Sequence, residues 1–171
     1  AITPLIVTMH PSLPVKSVKE LIGLAKARPK QILYASPGTG SNMHLTIEMF
    51  SRAVGITMVH VPYKGGPPAV IDTISGQVQL VITTVPPILP HVTASRLRAL
   101  AVTSSKRMSA VPEVPTISES GLHGFEVLHW WAMFAPKNTP AAITEKLFSE
   151  VRKAVENPSV TSVLAQEGLE P

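Results

Sequence analysis

Residues 34–44, Tyr34-Ala35-Ser36-Pro37-Gly38-Thr39-Gly40-Ser41-Asn42-Met43-His44, concentrate the groups best able to hold a charged ligand. An apolar run (Ile32, Leu33, Tyr34) leads into them and helical spacing follows, so a strand is predicted to break into a glycine-bearing loop at a helix start. The first amides of a helix have no intrahelical acceptor and carry partial positive charge, which suits a carboxylate or a phosphate. Gly38 and Gly40 let the backbone approach a bound group with no Cβ in the way. Ser36, Thr39 and Ser41 add hydroxyls, and His44 lies one turn into the helix toward the same mouth. By itself a Gly-x-Gly after a strand marks only a tight turn, and Ser41 is expected to cap the helix whatever else it does. The chemistry these types offer is capture of a small anion without turnover.

Catalytic patterns are absent. There is no G-x-S-x-G and no G-x-x-x-x-G-K-[ST]. The six histidines (10, 44, 60, 91, 123 and 129) lack metal-ligand spacing, so no metal or cofactor is expected. Asp72 is the only aspartate and falls within a predicted helix, while the glutamates fall mostly on solvent faces. The alternative of a different class is a small α/β hydrolase acting on an anionic substrate.

Composition narrows the partners. At 44% hydrophobic and 15% charged residues, the 171-residue chain is globular and can bury one good core or a domain and part of another. The net charge of +4 is spread along the chain, and 5% aromatics are too few for a base-stacking platform, which argues against nucleic acid. Pro or a charge interrupts each apolar stretch before membrane-spanning length. Without cysteine there are no disulfides, which fits periplasm and cytoplasm equally. No signal-peptide pattern is present and Ala1 stands where an initiator Met would, so the chain is expected to be processed or cut from something longer.

The elements that must position the loop repeat strand–helix about every 20–25 residues, as in parallel βαβ units. Helices are predicted over 18–26, with Ser17 and Glu20 as a capping box, and over 41–54, with Leu45, Met49, Phe50 and Ala53 inward and Gly55 as the stop. Further helices are expected over 69–75, 86–95 and 141–156, with a last short one leading to Gly168. Strands are predicted over 31–36, 57–61, 77–83 and 97–103. Ser36, Pro62-Tyr63 and Thr83-Thr84 then fall just past strand ends that share one edge, where open parallel sheets bind ligands. Tyr63 and Lys64 suit a carboxylate there. Trp130 and Trp131 read as core or hinge packing, and a domain boundary is expected near 131–136.

Several segments together resemble the Bug family, the substrate-binding (TctC-like) proteins of tripartite tricarboxylate transporters. They are Ser17 through Ile22, Tyr34-Ala35-Ser36 with Gly38-Thr39-Gly40-Ser41 and His44-Leu45, Val59 through Gly65, Gly76-Gln77-Val78 and Pro90-His91. Leu97 through Thr103, Val114 through Gly121 and Phe134-Ala135-Pro136 with Thr139-Pro140 carry the likeness nearly end to end. The resemblance implies an α/β fold of the periplasmic-binding-protein type (type II): a lobe with a mainly parallel sheet flanked by helices, as a fragment of a two-lobed protein. It implies a periplasmic receptor, not an enzyme, that closes on a small carboxylate and delivers it to membrane permease subunits. Carried over by position, Ser36, Gly38, Thr39, Gly40, Ser41 and His44 would contact the carboxylate, and Pro62, Tyr63 and Lys64 would line the same cleft. Thr83 and Thr84 stand where many relatives carry Asp, which leans toward a plain carboxylate over an amino acid. Residues 1–132 would form the second, ligand-binding lobe with its hinge strands, and 133–171 a partial return segment of the first lobe. Apolar surface left by the missing lobe would favour self-association.

Overall fold

The computed structural model describes residues 2–166 and Leu169. Local chemistry sets where its helices begin. Ser17 caps α1 (Val18–Ala27) by accepting the Glu20 N–H at 3.2 Å, while the Glu20 carboxylate accepts the Lys16 N–H at 2.7 Å. The reciprocal arm of the capping box thus lands one residue before the cap. Ser41 caps α2 (Asn42–Val54) by accepting the His44 N–H at 3.2 Å, and Gly55 closes it in the left-handed region (φ 67, ψ 45). Helix α3 (Gly66–Ile74) starts earlier than its apolar spacing suggests, because Pro67 and Pro68 sit in the first turn, where an N–H has no intrahelical acceptor to lose. Helices α4 (Leu89–Thr93), α5 (Ala141–Glu156) and α6 (Pro158–Gln166) follow. Gly168, to which the last helix was expected to lead, lies outside the described residues.

Five strands form one sheet in the order β4-β3-β5-β2-β6: β2 (Ile6–Met9), β3 (Leu33–Ser36), β4 (Val59–Pro62), β5 (Leu80–Thr83) and β6 (Arg98–Val102). β3 pairs parallel with β4 and with β5, whereas β2 runs antiparallel to both β5 and β6. Four strands therefore point one way and β2 alone the other. Sequence patterning assigns no element to residues 1–16, because Pro4 cuts a run too short to show a period. β2 nevertheless occupies an interior position with all four residues buried. A separate two-stranded ribbon pairs β1 (Ile2–Pro4) with β7 (Leu128–Trp130).

Alternation along the strands sorts the core onto two faces. Val7, Met9, Tyr34, Leu80 and Ile82 pack with Leu21 and Ala25 of α1 and Ile47 and Phe50 of α2. Ile6, Ala35, Val81 and Val102 pack with Ala69 and Val70 of α3, with Ile88 at the start of α4 and with Val92 within it. The alternation of Val78, Leu80 and Ile82 thus marks no solvent face, since β5 is covered on both sides. β6 closes the sheet, and its edge is itself covered: Val102 N–H donates to Pro115 O and Ile117 N–H to Val102 O.

Two packing expectations are corrected. On α2 only Phe50 of the predicted inward set is buried; Leu45 and Met49 are 52% and 54% exposed, and Ala53 is exposed with them. The buried stripe is Thr46, Ile47, Phe50 and Ser51, with Met43 and Val54 partly buried. Two stripes of similar apolarity share Phe50, and the lie of the helix on the sheet selects the one carrying Ile47. Of the core-or-hinge reading of Trp130 and Trp131 the core half is corrected: they are 56% and 49% exposed, because the short ribbon they adjoin is too narrow to enclose them.

The chain divides into two compact units, Pro4–His129 and Ala1–Thr3 with Trp130–Pro171. In the first, Thr103 is fully buried and ties three segments together. Its hydroxyl accepts the Leu5 N–H at 2.8 Å and donates to Val127 O at 2.6 Å, while its own N–H donates to Leu5 O. Thr103→Val keeps the shape and strands the buried Leu5 N–H and the half-buried Val127 carbonyl. It should destabilise the unit by about 2–4 kcal/mol, read as a lower urea midpoint with unchanged slope.

Candidate functional site

The parallel register sets the site. Leu33 opposes Val59, Tyr34 opposes His60 and Ser36 opposes Pro62, while Tyr34 and Ala35 oppose Leu80 and Val81 on the other side. The C-terminal ends of β3, β4 and β5 are therefore level, and Ser36, Pro62 and Thr83 end them on one edge. Gly38, Thr39, Gly40, Ser41 and His44 follow β3 into α2; Tyr63 and Lys64 follow β4; Thr84 follows β5. All the residues singled out in the sequence come to that edge.

They are not equally accessible there. Ser36 is fully buried, and its hydroxyl is used inside the loop: it donates to Gly38 O at 3.1 Å, accepts the Gly38 N–H at 3.2 Å and shares a 2.7 Å bond with His60 Nε2. Tyr63 N–H donates to Ser36 O and Gly65 N–H to Pro37 O, which binds the two loops together. The Tyr63 hydroxyl donates to Asp72 Oδ2 of α3 at 2.8 Å; burial, with the Asp72 carboxylate, pushes it up to about 12. Ser36 and Tyr63 thus hold the loops in place, while Thr39, Gly40 and Lys64 are exposed. Gly38 and Gly40 adopt φ of 147 and 81, and a Cβ on Gly38 would come 3.5 Å from Tyr63 O. Among the described residues Lys64 forms no ion pair, and no group of acidic, His or Cys side chains could hold a metal ion.

Beneath the loop lies an aromatic cluster that residue spacing does not disclose. His44 and His60 rings are 4.1 Å apart between centroids, and Tyr34 stacks at 5.0 Å from His60 and 6.3 Å from His44. The buried Tyr34 hydroxyl donates to Glu48 Oε1, one turn along α2 from His44. Burial, reinforced by that carboxylate, holds the Tyr34 phenol well above its ordinary range. Burial, with His44 close by, holds His60 below its ordinary value, and Glu48 opposes this only in part. His60 is the residue of this edge that sequence reasoning passed over. The available signal was strand alignment: laying 57–61 beside 31–36 as parallel neighbours puts His60 against Tyr34 and one step from Ser36.

A cleft of about 400 Å³ opens at the opposite edge of the sheet, lined in part by Lys16, Ser17, Arg98 and Glu113. Its half-buried cation is already committed, since Arg98 donates to Leu13 O at 3.3 Å and Val15 O at 2.7 Å to hold the loop between β2 and α1. The switch-point edge is therefore the better candidate.

Known proteins bear directly on this geometry. The family model TctC, described as the tripartite tricarboxylate transporter family receptor, matches residues 1–171. A protein encoded in the tcbD-tcbE intergenic region of a Pseudomonas species is 40% identical over 155 residues, covering 90% of this chain and 46% of its own. Protein BugT of Bordetella pertussis is 36% identical over 168 residues, covering 98% of this chain and 52% of its own. Among solved structures, R. palustris Rpa4515 with adipate is 37% identical, with a TM-score of 0.89 over 100% of this chain and 57% of that one. MatC (Rpa3494) from Rhodopseudomonas palustris with bound malate is 28% identical, with a TM-score of 0.90 over 98% of this chain and 57% of that one. The chain spans about half the length of the curated relatives it matches.

The cluster has a pH signature of its own. Because folding lowers His60 below its ordinary 6.5, the unfolded chain binds more protons just below that value. Stability is then complete above about pH 6.5 and falls as pH drops toward the depressed folded value. Denaturation midpoints followed from neutral to mildly acid pH should show this loss. His60→Gln should lessen that loss, the remainder coming from His129, which burial also holds below its ordinary value.

Proposed function

The chain belongs to the tripartite tricarboxylate transporter family of receptors, and from that premise we propose that it is the ligand-binding lobe of a periplasmic receptor for a small carboxylate. Residues 4–129 act as that lobe, and 133–171 act as a return segment of the first lobe of a longer two-lobed protein. Exposed Phe134 and Phe148, at 80% and 70%, support coverage of that segment in the longer protein and self-association of the chain without it.

One observation carries the reading: a relative solved with adipate matches the chain over its full length at 37% identity, and the matched region includes the anion-suited loop between β3 and α2. Helix geometry leaves the Asn42 and Met43 amides without intrahelical acceptors at the mouth. A carboxylate docked there accepts from these amides and from the Thr39 and Ser41 hydroxyls, with His44 beside it. Lys64 contributes a mobile positive charge from the neighbouring loop, and Pro62, Thr83 and Thr84 form the rim. Gly38 and Gly40 keep the backbone low enough for approach, and Ser36 and Tyr63 fix the loops. The one hydroxyl–imidazole pair at the edge, Ser36 with His60, has its serine fully buried beneath the loop and the hydroxyl engaged by Gly38, so the bound acid is held and not transformed. Closure of the two lobes over it is the signal read by permease subunits in the membrane.

Calorimetric titration of the protein, extended to the full length of its relatives, against mono- and dicarboxylates tests this reading. One carboxylate should bind saturably. Lys64→Ala or Ser41→Ala should weaken it by about 1–3 kcal/mol, as for loss of a charge-assisted hydrogen bond. Indifference to every carboxylate would remove the receptor reading and leave the fold alone.

A further inference from the structure

The hydrogen bond from Gly40 N–H to His44 Nδ1, at 3.2 Å, has a fixed direction. A backbone amide can only donate, so Nδ1 must be the unprotonated acceptor and the His44 ring is neutral in this arrangement. The Gly40 amide, at φ 81 in the exposed part of the loop, is thereby turned inward and satisfied by the protein itself. An anion arriving at the mouth must compete with His44 for that donor. If His44 instead carries a proton on Nδ1, two donors face each other across the gap, and an oxygen between them accepts from both.

We propose that a ligand carboxylate enters by taking the Gly40 N–H from His44, and that His44 takes up a proton from solvent as it does so, so that anion capture and proton uptake are one event. This inference rests on the reading of the loop as a carboxylate site. His60 shapes the event. With the two rings 4.1 Å apart, like charge keeps both from being protonated together, so the pair takes one proton. Against the pair lie Tyr34 and the Ser36 hydroxyl from β3 and, acting through its charge, Glu48 from α2. Tyr34 stays neutral as the donor to Glu48, whose negative charge favours a proton on the pair. His44 is thus a positioning residue for the loop amide in the empty site and a charged partner in the filled one.

The sign follows from linkage. A group more protonated in the bound than in the free state makes affinity fall as pH rises, by at most about tenfold per pH unit for one proton. Adipate is the probe, between about pH 6.5 and about pH 8.5, where its carboxylates stay ionised. Calorimetry of the full-length protein in two buffers of different ionisation heat should register uptake of up to one proton per adipate. His44→Asn keeps an acceptor for the Gly40 N–H and cannot titrate in this range. It should bind adipate with no proton uptake and no pH slope. In the 171-residue chain without ligand, NMR should show the Gly40 amide proton shifting with the same midpoint as the His44 ring, and staying fixed in His44→Asn. Adipate binding without proton uptake overturns this inference and leaves the receptor reading intact. Proton uptake that persists in His44→Asn, or a Gly40 amide indifferent to pH, also overturns it. No carboxylate binding at any pH removes both readings.

Discussion

Parallel pairing of β3 with β4 and β5, with Ser36 opposite Pro62, is the constraint on which the rest of the molecule depends. A parallel ladder cannot be closed by a tight hairpin, so each strand must be followed by a crossover helix, and those helices supply both faces of the core. The same register makes three loops emerge level at one edge. It also places His60 beside Tyr34 and within bonding distance of Ser36. A slip of one residue would turn His60 to the face covered by α3 and leave Ser36 without its partner.

Polar groups at this edge divide into those that bond within the loops and those that stay exposed. Ser36, Tyr63, Asp72, Tyr34 and Glu48 bond to one another or to backbone in two small networks. Tyr34 and Ser36 are buried while Tyr63 and Asp72 are half-buried and Glu48 is exposed, so bonds anchored on the buried pair support the glycine-rich backbone above them. Thr39, Gly40 and Lys64 keep their exposure, and their charge and donors are of the kind a carboxylate needs. The edge is thus bonded below and open above, the arrangement by which the proposed receptor would gain affinity without ordering its site at each encounter.

The reversed strand β2 solves a different problem. It brings the N-terminal segment through the sheet between β5 and β6, where its residues serve both cores at once. Thr103, just past β6, then uses one hydroxyl to satisfy Leu5 and Val127, segments nearly a hundred and about two dozen residues away. Such long-range bonds have no local sequence signal, because a threonine at a strand end is equally at home in water.

Composition, strand–helix period and turn chemistry in the sequence determined an α/β lobe with helix starts at Ser17 and Ser41, a left-handed stop at Gly55 and an anion-suited loop at 36–44. Each of these rests on interactions within a few residues along the chain, so the local order of side chains is enough to specify them. Only the tertiary structure decided which stripe of α2 is buried, that β2 lies inside the sheet, that Ser36 and Tyr63 hold loops in place, and that His44 and His60 face each other. These depend on register between strands and on the rotation of a helix over a sheet. Phe50 serves either stripe of α2, and His60 gains its meaning only from a neighbour 24 residues away in sequence and 2.7 Å away in space.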